Sequence, residues 1–542
     1  MKTSLKLYSL ILFVAFIFNA CRNPAYEMNV LFDANVIEYK ATLVLKDANG
    51  KALPNNLNVA IGGTDAKSIY DFSGTKQVFA PGGVITLGVT PKDVPTAAKT
   101  LNFNVIITGQ GYDDKNIPVS IALDQKSQIV NVTMLEVSKP SPVTAIASRN
   151  SPLVSGTTST ATTLSTPSVG TVAETATVTV PAGVQMRNAA GAAITGSSVK
   201  IDMINYEAKD PATNELFPGA SLSAPNVVGA DGVTGSAFFI PAGFTSIKMF
   251  VNNNEVRNFS APISVNVEVD PNFKPSATGA NVKAGDKLPV YSYDVNTGQF
   301  KYETLGTVAL NTRGKLSVTF PTNHLTVFVV GDAFDTKNCV SPQFTFLAPW
   351  LNDATLPVVI EVFRTSDNRK IVTKTVEVAN GIAGYFKGLP KIGVTYKISH
   401  YNGDQLSTGT IADPCAGQEF TIDLKQPTTP VDQITLELNV TCPGTGKIVV
   451  PNFDLFFKPA GAPDTEYKFL GTAIEGKIIT TLLKVGSTYD FRAGWKNETK
   501  VVNNRTIDKL DMSVGVGEGE FLGTKSPEHN RALLIEACKL IN

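Results

Sequence analysis

Tyr39-Lys40-Ala41-Thr42-Leu43-Val44-Leu45-Lys46-Asp47-Ala48-Asn49-Gly50 is the stretch from which the fold class is read. Tyr39, Ala41, Leu43 and Leu45 alternate with Lys40, Thr42 and Lys46. A period of two puts the apolar side chains on one face of a strand and the polar ones on the other. Asp47-Ala48-Asn49-Gly50 then breaks the strand as a turn, because Asn and Gly tolerate backbone conformations that other residues avoid. The same alternation returns at Leu101, Phe103, Val105 and Ile107, at Val119, Ile121 and Leu123, and at Val130, Val132 and Met134. Together these runs predict one β-sandwich over residues 37–137.

The rest of the chain repeats this pattern. Its 542 residues contain 43 % hydrophobic and only 17 % charged side chains, with 43 Gly and 32 Pro. Short Val/Ile/Thr runs separated by turn residues are the composition of an all-β protein, and too apolar for a disordered one. At about 150 residues per domain the length suggests roughly three to five domains. Lys and Arg number 47, as do Asp and Glu. That balance lacks the basic excess of a nucleic-acid binder, so no nucleic-acid partner is expected.

Residues 138–170 are rich in Ser, Thr, Pro, Ala and Gly and lose the periodicity, which reads as a linker. A second folded block is expected over 171–333. Pro181-Ala182-Gly183 and Pro241-Ala242-Gly243 read as turns after short apolar strands, and Gly285-Asp286-Lys287 as a turn feeding the strand Leu288 to Tyr293. Gly306-Thr307-Val308 and Asn323 to Val330 close the block. A third is expected over 338–426 and a fourth over 431–542, divided by Gln426-Pro427-Thr428-Thr429-Pro430. In the fourth, Ile434, Leu436, Leu438, Val440 and Cys442 share one face of a strand.

The first twenty residues differ from all of this. Lys2 and Lys6 precede an apolar run from Leu7 to Phe18, too short for a stable membrane-spanning helix and suited to a signal-peptide core. Phe18-Asn19-Ala20-Cys21 follows and resembles a lipobox, with Phe18 and Asn19 departing from its usual residues. The resemblance implies a signal peptide over 1–20, acylation of Cys21, a tether over 21–36, and membrane attachment through the N-terminal lipid. A bacterial envelope protein at the outer membrane is expected. The other reading is a plain signal peptide followed by a chance cysteine.

Two further resemblances concern the domains. The order of motifs from Pro181-Ala182-Gly183 to Asn323-His324-Leu325-Thr326 is similar to a ZU5-type β-sandwich. Leu389 to Tyr396 in the third block and Leu483 to Tyr489 in the fourth each place a Gly-x-x-Tyr turn before a strand. This resembles the transthyretin-like, carboxypeptidase-regulatory sandwich, as does the Asp-Ala-Asn-Gly turn of the first block. The expected fold is therefore all-β: serial β-sandwich domains of Ig-like or transthyretin-like type. The resemblance implies structure and interaction surface without chemistry.

Of five cysteines, Cys21 is assigned to lipid and four remain. Four cysteines allow three pairings. The simplest gives one bridge per domain, Cys339–Cys415 and Cys442–Cys538, each contributing about 4 kcal/mol by loop entropy.

Residues capable of chemistry are sparse. His324, His400 and His529 lack metal-like spacing, so no metal and no cofactor are expected. Gly515-Val516-Gly517-Glu518-Gly519 reads as a loop, and Cys442-Pro443-Gly444-Thr445-Gly446-Lys447 lacks the spacing of a P-loop. Trp350 and Trp495 fit sugar-stacking platforms or plain core residues. His324-Leu325-Thr326 resembles the cleavage motif of autoproteolytic receptor domains related to ZU5. By that resemblance the imidazole takes the Thr326 hydroxyl proton, and the oxygen attacks the Leu325 carbonyl. The disulfides that frame the receptor motif are missing, since no cysteine lies between Cys21 and Cys339. The bland reading is a closing strand with His324 at its mouth and Thr326 facing solvent. The expected function is a non-enzymatic interaction or scaffolding stalk that binds an envelope protein. The alternatives are a carbohydrate-binding accessory protein and a self-cleaving domain.

Overall fold

In the computed structural model, residues 38–516 are described, apart from 55, 73, 124–125, 352–354, 401–402, 429–431, 442–447, 450–452, 475 and 496–497. Regular structure among them is strand, with short 3-10 turns between. The chain is all-β and built from serial β-sandwiches. No described helix is long and apolar enough to cross a membrane.

The opening strand of the first sandwich is Lys40–Asp47. Ala41, Leu43 and Leu45 are buried, as the alternation requires. The Asp47 carboxylate accepts the backbone N–H groups of Asn49 (2.8 Å) and Lys51 (3.3 Å), and Gly50 adopts φ +72°, so the turn is built by local chemistry. Lys40–Asp47 lies between Val84–Val89, its antiparallel neighbour, and Ser127–Met134, its parallel one. The facing sheet is Asn58–Gly62, Leu101–Thr108 and Lys115–Ile121.

The third and fourth sandwiches follow the same plan. In the third, Gln343–Leu347 pairs antiparallel with Ala383–Tyr385 and parallel with Glu419–Asp423. In the fourth, Ile434–Thr441 pairs antiparallel with Lys477–Thr480 and parallel with Asp511–Val516. Their second sheets match in strand order: Arg369–Ala379, Thr355–Arg364, Val394–His400, Gln405–Ile411 in one, and Lys468–Ala473, Phe453–Pro459, Thr488–Trp495, Glu498–Thr506 in the other. In the first sandwich the strand Ile69–Asp71 instead joins the sheet of the opening strand. First and last strands that run parallel deliver the chain to opposite ends of each sandwich, which suits domains in series.

The second sandwich is larger, and three expectations for it are corrected. Residues 138–170 are not a linker. Thr144–Val154 pairs with Ser198–Tyr206 along its length, and Thr162–Ser165 pairs with Ala176–Val180. The segment reads as a linker because its inward side chains are small or hydroxylated. Two of these find partners: the Thr158 hydroxyl donates to the Pro181 carbonyl at 2.6 Å, and the Thr144 hydroxyl accepts the Ser141 N–H at 2.8 Å. The block therefore takes in strands well before residue 171. Pro241-Ala242-Gly243 is not a turn but a bulge inside Thr234–Val251, where the register against Val327–Asp335 shifts. A Cβ at Gly243 would lie 2.6 Å from the Glu268 carbonyl oxygen, so the bend needs glycine there. Gly306-Thr307-Val308 likewise lies within a strand, Gln299–Leu310. That strand pairs with Lys287–Asp294 through one half and Leu316–His324 through the other, and so joins the two halves of one rolled sheet. The sheet nearly closes: Arg149, on a strand near one end of the sheet, donates to the Thr163 carbonyl on the strand at the other.

Candidate functional site

The sandwiches meet at joints, and the described cleft lies in the joint between the first and second. Its floor comes from the hairpin between Leu101–Thr108 and Lys115–Ile121, its roof from Thr234–Val251 and Lys287–Asp294. Asp113 and Lys115 of the hairpin are buried. Lys248 reaches across to Asp113 at 2.9 Å, and Lys115 lies 3.8 Å from the same carboxylate. The Lys115 ammonium also donates to the Leu216 carbonyl at 3.3 Å. Arg257 pairs with Glu255 at 2.8 Å. Asn116 closes the joint: its side chain donates to the Val295 carbonyl at 2.9 Å, and its own carbonyl accepts the Tyr293 hydroxyl at 2.8 Å.

Charge in this cleft is cancelled in pairs. Burial pushes the Asp113 carboxyl up, but Lys248 and Lys115 outweigh it and hold the group below its ordinary value. Burial pulls the Lys115 ammonium down. For Lys248, the attraction of Asp113 overcomes burial and lifts the ammonium above its ordinary value. Tyr206, stacked on Phe244 with centroids 4.4 Å apart, is raised far by burial and stays neutral. The cavity volume is about 40 Å³, against the roughly 300 Å³ at which small-molecule sites begin. It suits a few ordered waters.

Two of the three motif residues, Leu325 and Thr326, line this cleft. His324 ends the strand Leu316–His324, and Val327–Asp335 begins after Thr326 in the other half of the rolled sheet. Leu325 is buried and Thr326 half-buried, so Thr326 does not face open solvent. The Thr326 hydroxyl donates to the Tyr293 carbonyl. His324 Nε2 meets the Glu303 carboxylate at 3.1 Å, and Glu303 also accepts the Ser292 hydroxyl at 2.7 Å. Burial raises the Glu303 carboxyl, but the His324 and Ser292 hydrogen bonds outweigh it and hold the group low. Each of the two motif side chains is thus engaged with a different strand of the same sandwich.

The remaining residues singled out from sequence fall apart in space. Cys339 and Cys415 form a disulfide with Cα atoms 4.4 Å apart, the pairing expected within the third sandwich. Cys21, Cys442, Cys538 and His529 lie outside the described residues. His400 is buried at the end of Val394–His400. Trp350 packs against the core and donates its indole N–H to the Leu424 carbonyl at 2.9 Å. No group of three His, Cys, Asp or Glu side chains converges to hold a metal among the described residues. Asp113, Lys115 and Lys248 were missed, because a charged triplet at a hairpin tip and a lone strand lysine read as solvated.

No family model matches the chain, and no curated protein does. Among solved structures it is similar to the minor pilin GBS52 of Streptococcus agalactiae, at 11 % identity over 34 % of this chain and 100 % of that one, with a TM-score of 0.13. It is also similar to BcpA, the major pilin subunit of Bacillus cereus, at 9 % identity over 88 % and 98 %, with a TM-score of 0.13. The TIE protein of Bacillus anthracis is similar at 10 % identity over 69 % and 74 %, again with a TM-score of 0.13. At such scores these likenesses carry no argument about function.

Proposed function

We propose that the chain is a non-enzymatic, lipid-anchored protein of the bacterial envelope, whose sandwiches act as an interaction or scaffolding stalk. One observation carries the reading. Ionisable groups at the joints are spent on joining sandwiches: Lys248 of the second pairs with Asp113 of the first, Lys115 of the first donates to the Leu216 carbonyl of the second, and Arg369 of the third donates to the Pro241 and Ala208 carbonyls of the second. A catalytic site would instead set such groups around a cavity large enough for a substrate. The shared strand order of the third and fourth sandwiches supports a transthyretin-like assignment for both. A ZU5-like second sandwich and acylation at Cys21 complete the proposal, with outer-membrane placement and an envelope protein as partner.

Anchorage and partner are tested together. Cys21→Ser should release the protein in soluble form without fatty-acid label. A mutant that still partitions with membranes would overturn the anchor. Pull-down from envelope fractions with the wild-type chain should recover a protein partner. Binding to a glycan array with no protein recovered would replace the scaffolding stalk by the carbohydrate-binding alternative.

A further inference from the structure

The fourth sandwich folds back and docks on the first, and at the centre of that contact is a carboxylate. Asp454, on Phe453–Pro459, is buried. It accepts the hydroxyl of Thr86 from the first sandwich, at 2.9 and 3.1 Å to its two oxygens, and that of Thr472 from its own sandwich at 2.9 Å. Around it Tyr70 and Phe72 of the first sandwich pack against Ile474 of the fourth. Pro81 lies against Gly494, where an added Cβ would come within 3.1 Å of the proline ring. Arg492, beside Gly82, is held over the rings of Phe456 and Tyr467, at 4.7 and 4.4 Å from their centroids. Asp71 and Lys40 of the first sandwich also act on Asp454 through their charge.

We propose that this contact is a pH-responsive latch: the fourth sandwich closes on the first when the Asp454 carboxyl is protonated and loosens when it ionises. The two hydroxyl donors are neutral, so an ionised Asp454 is desolvated at the joint while its bonded partners carry no charge. Burial is the largest cause and lifts the carboxyl from 3.8 to about 6; Asp71 adds to the rise, and the Thr86 and Thr472 hydrogen bonds and Lys40 oppose it. A group whose value is higher in the docked state than in the free one binds protons on docking. Its contribution is therefore complete below about pH 4, fades as pH rises towards 6, and is gone above it. About two units set the upper bound, a docking constant at most about a hundredfold weaker at neutral than at acidic pH, because Thr472 stays with Asp454 when the sandwiches part.

The experiment is small-angle scattering of the full chain carrying Cys21→Ser, so that it stays in solution, at pH 4.5 and 7.5. The radius of gyration should be smaller at pH 4.5. Asp454→Asn, which keeps an oxygen acceptor without the charge, should be compact at both. Thr86→Val lies in the first sandwich and removes a donor to the carboxylate without touching Asp454. By removing a bond that favours the ionised form, it should weaken docking at pH 7.5 more than at pH 4.5. A wild-type radius that does not change with pH overturns the latch, as does an Asp454→Asn chain that opens like wild type.

Discussion

Two joints in this molecule solve one problem in opposite ways. Between the second and third sandwiches the hydrophobic core is continuous, running from Phe239 and Phe244 through to Leu356 and Ile398 in one cluster. Arg369 crosses that joint, half-buried and still charged at neutral pH, and donates to two backbone carbonyls of the second sandwich. Lys274 donates to the Ser366 carbonyl at 3.1 Å, and Asn214 to the Lys370 carbonyl at 3.1 Å. Between the first and fourth sandwiches the cores are separate, and the apolar contact is a patch of Tyr70, Phe72 and Ile474. Donors there are hydroxyls and the acceptor is a titratable acid. Burial pushes the Arg369 guanidinium down to about 10, so its bonds to the carbonyls hold throughout acidic and neutral pH. Hydroxyl to carboxylate is a bond whose strength depends on a proton. The difference lies in the residues at the seams.

The largest test of this contrast concerns the third sandwich itself. Cys339→Ser with Cys415→Ser opens a loop of sequence separation 76 and should cost about 4 kcal/mol by the entropic model, read as a lower urea midpoint. Because the second and third sandwiches share a core, both should lose stability in one transition. Separate transitions, with the second unmoved, would show that the shared cluster does not couple them.

Next in size is Arg369→Ala. It leaves the Pro241 and Ala208 carbonyls without their charged donor inside the joint, a change of about 3 kcal/mol. The loss should be the same at pH 5 and pH 8, because the carbonyls do not titrate. A loss that varies with pH would make the two joints alike and remove the contrast.

The smallest effect is expected at Thr326. A denaturing gel of freshly purified protein should show one band, since the hydroxyl proton is already given to the Tyr293 carbonyl and His324 is held by Glu303. Thr326→Ala should leave the gel unchanged and cost about 1 kcal/mol for the lost hydrogen bond. Fragments 21–325 and 326–542 that vanish in the mutant would instead show self-cleavage. They would also show that the second sandwich holds its neighbours as two nicked pieces.

How far the sequence reached varies with the residue. Alternation along Tyr39 to Leu45 gave the correct face of a strand, because a period of two is a property of the extended backbone alone. The turn at Asp47 was equally legible, since its carboxylate bonds the next few N–H groups. The disulfide of the third sandwich followed from two cysteines near the ends of one repeat. Residues 138–170 failed by the same logic: Ser and Thr have short-range alternatives to strand pairing, and only their partners at Pro181, Ala176–Val180 and Ser198–Tyr206 settle which wins. The triplet His324-Leu325-Thr326 kept its spacing, but where each side chain points depends on Glu303 and Tyr293, 21 and 33 positions away.

The sequence by itself determined that the chain is all-β, where many of its strands begin, and that residues 1–20 differ from the rest, because each of these rests on hydropathy and turn chemistry over a few neighbouring residues. Only the tertiary structure decided that four sandwiches close into joints, that Lys115 is buried and paired rather than solvated, and that Asp454 sits against Thr86, 368 positions earlier. The physical reason is range. Strand periodicity is set by bonds along the chain, whereas the burial of a charge is set by whichever surface arrives to cover it.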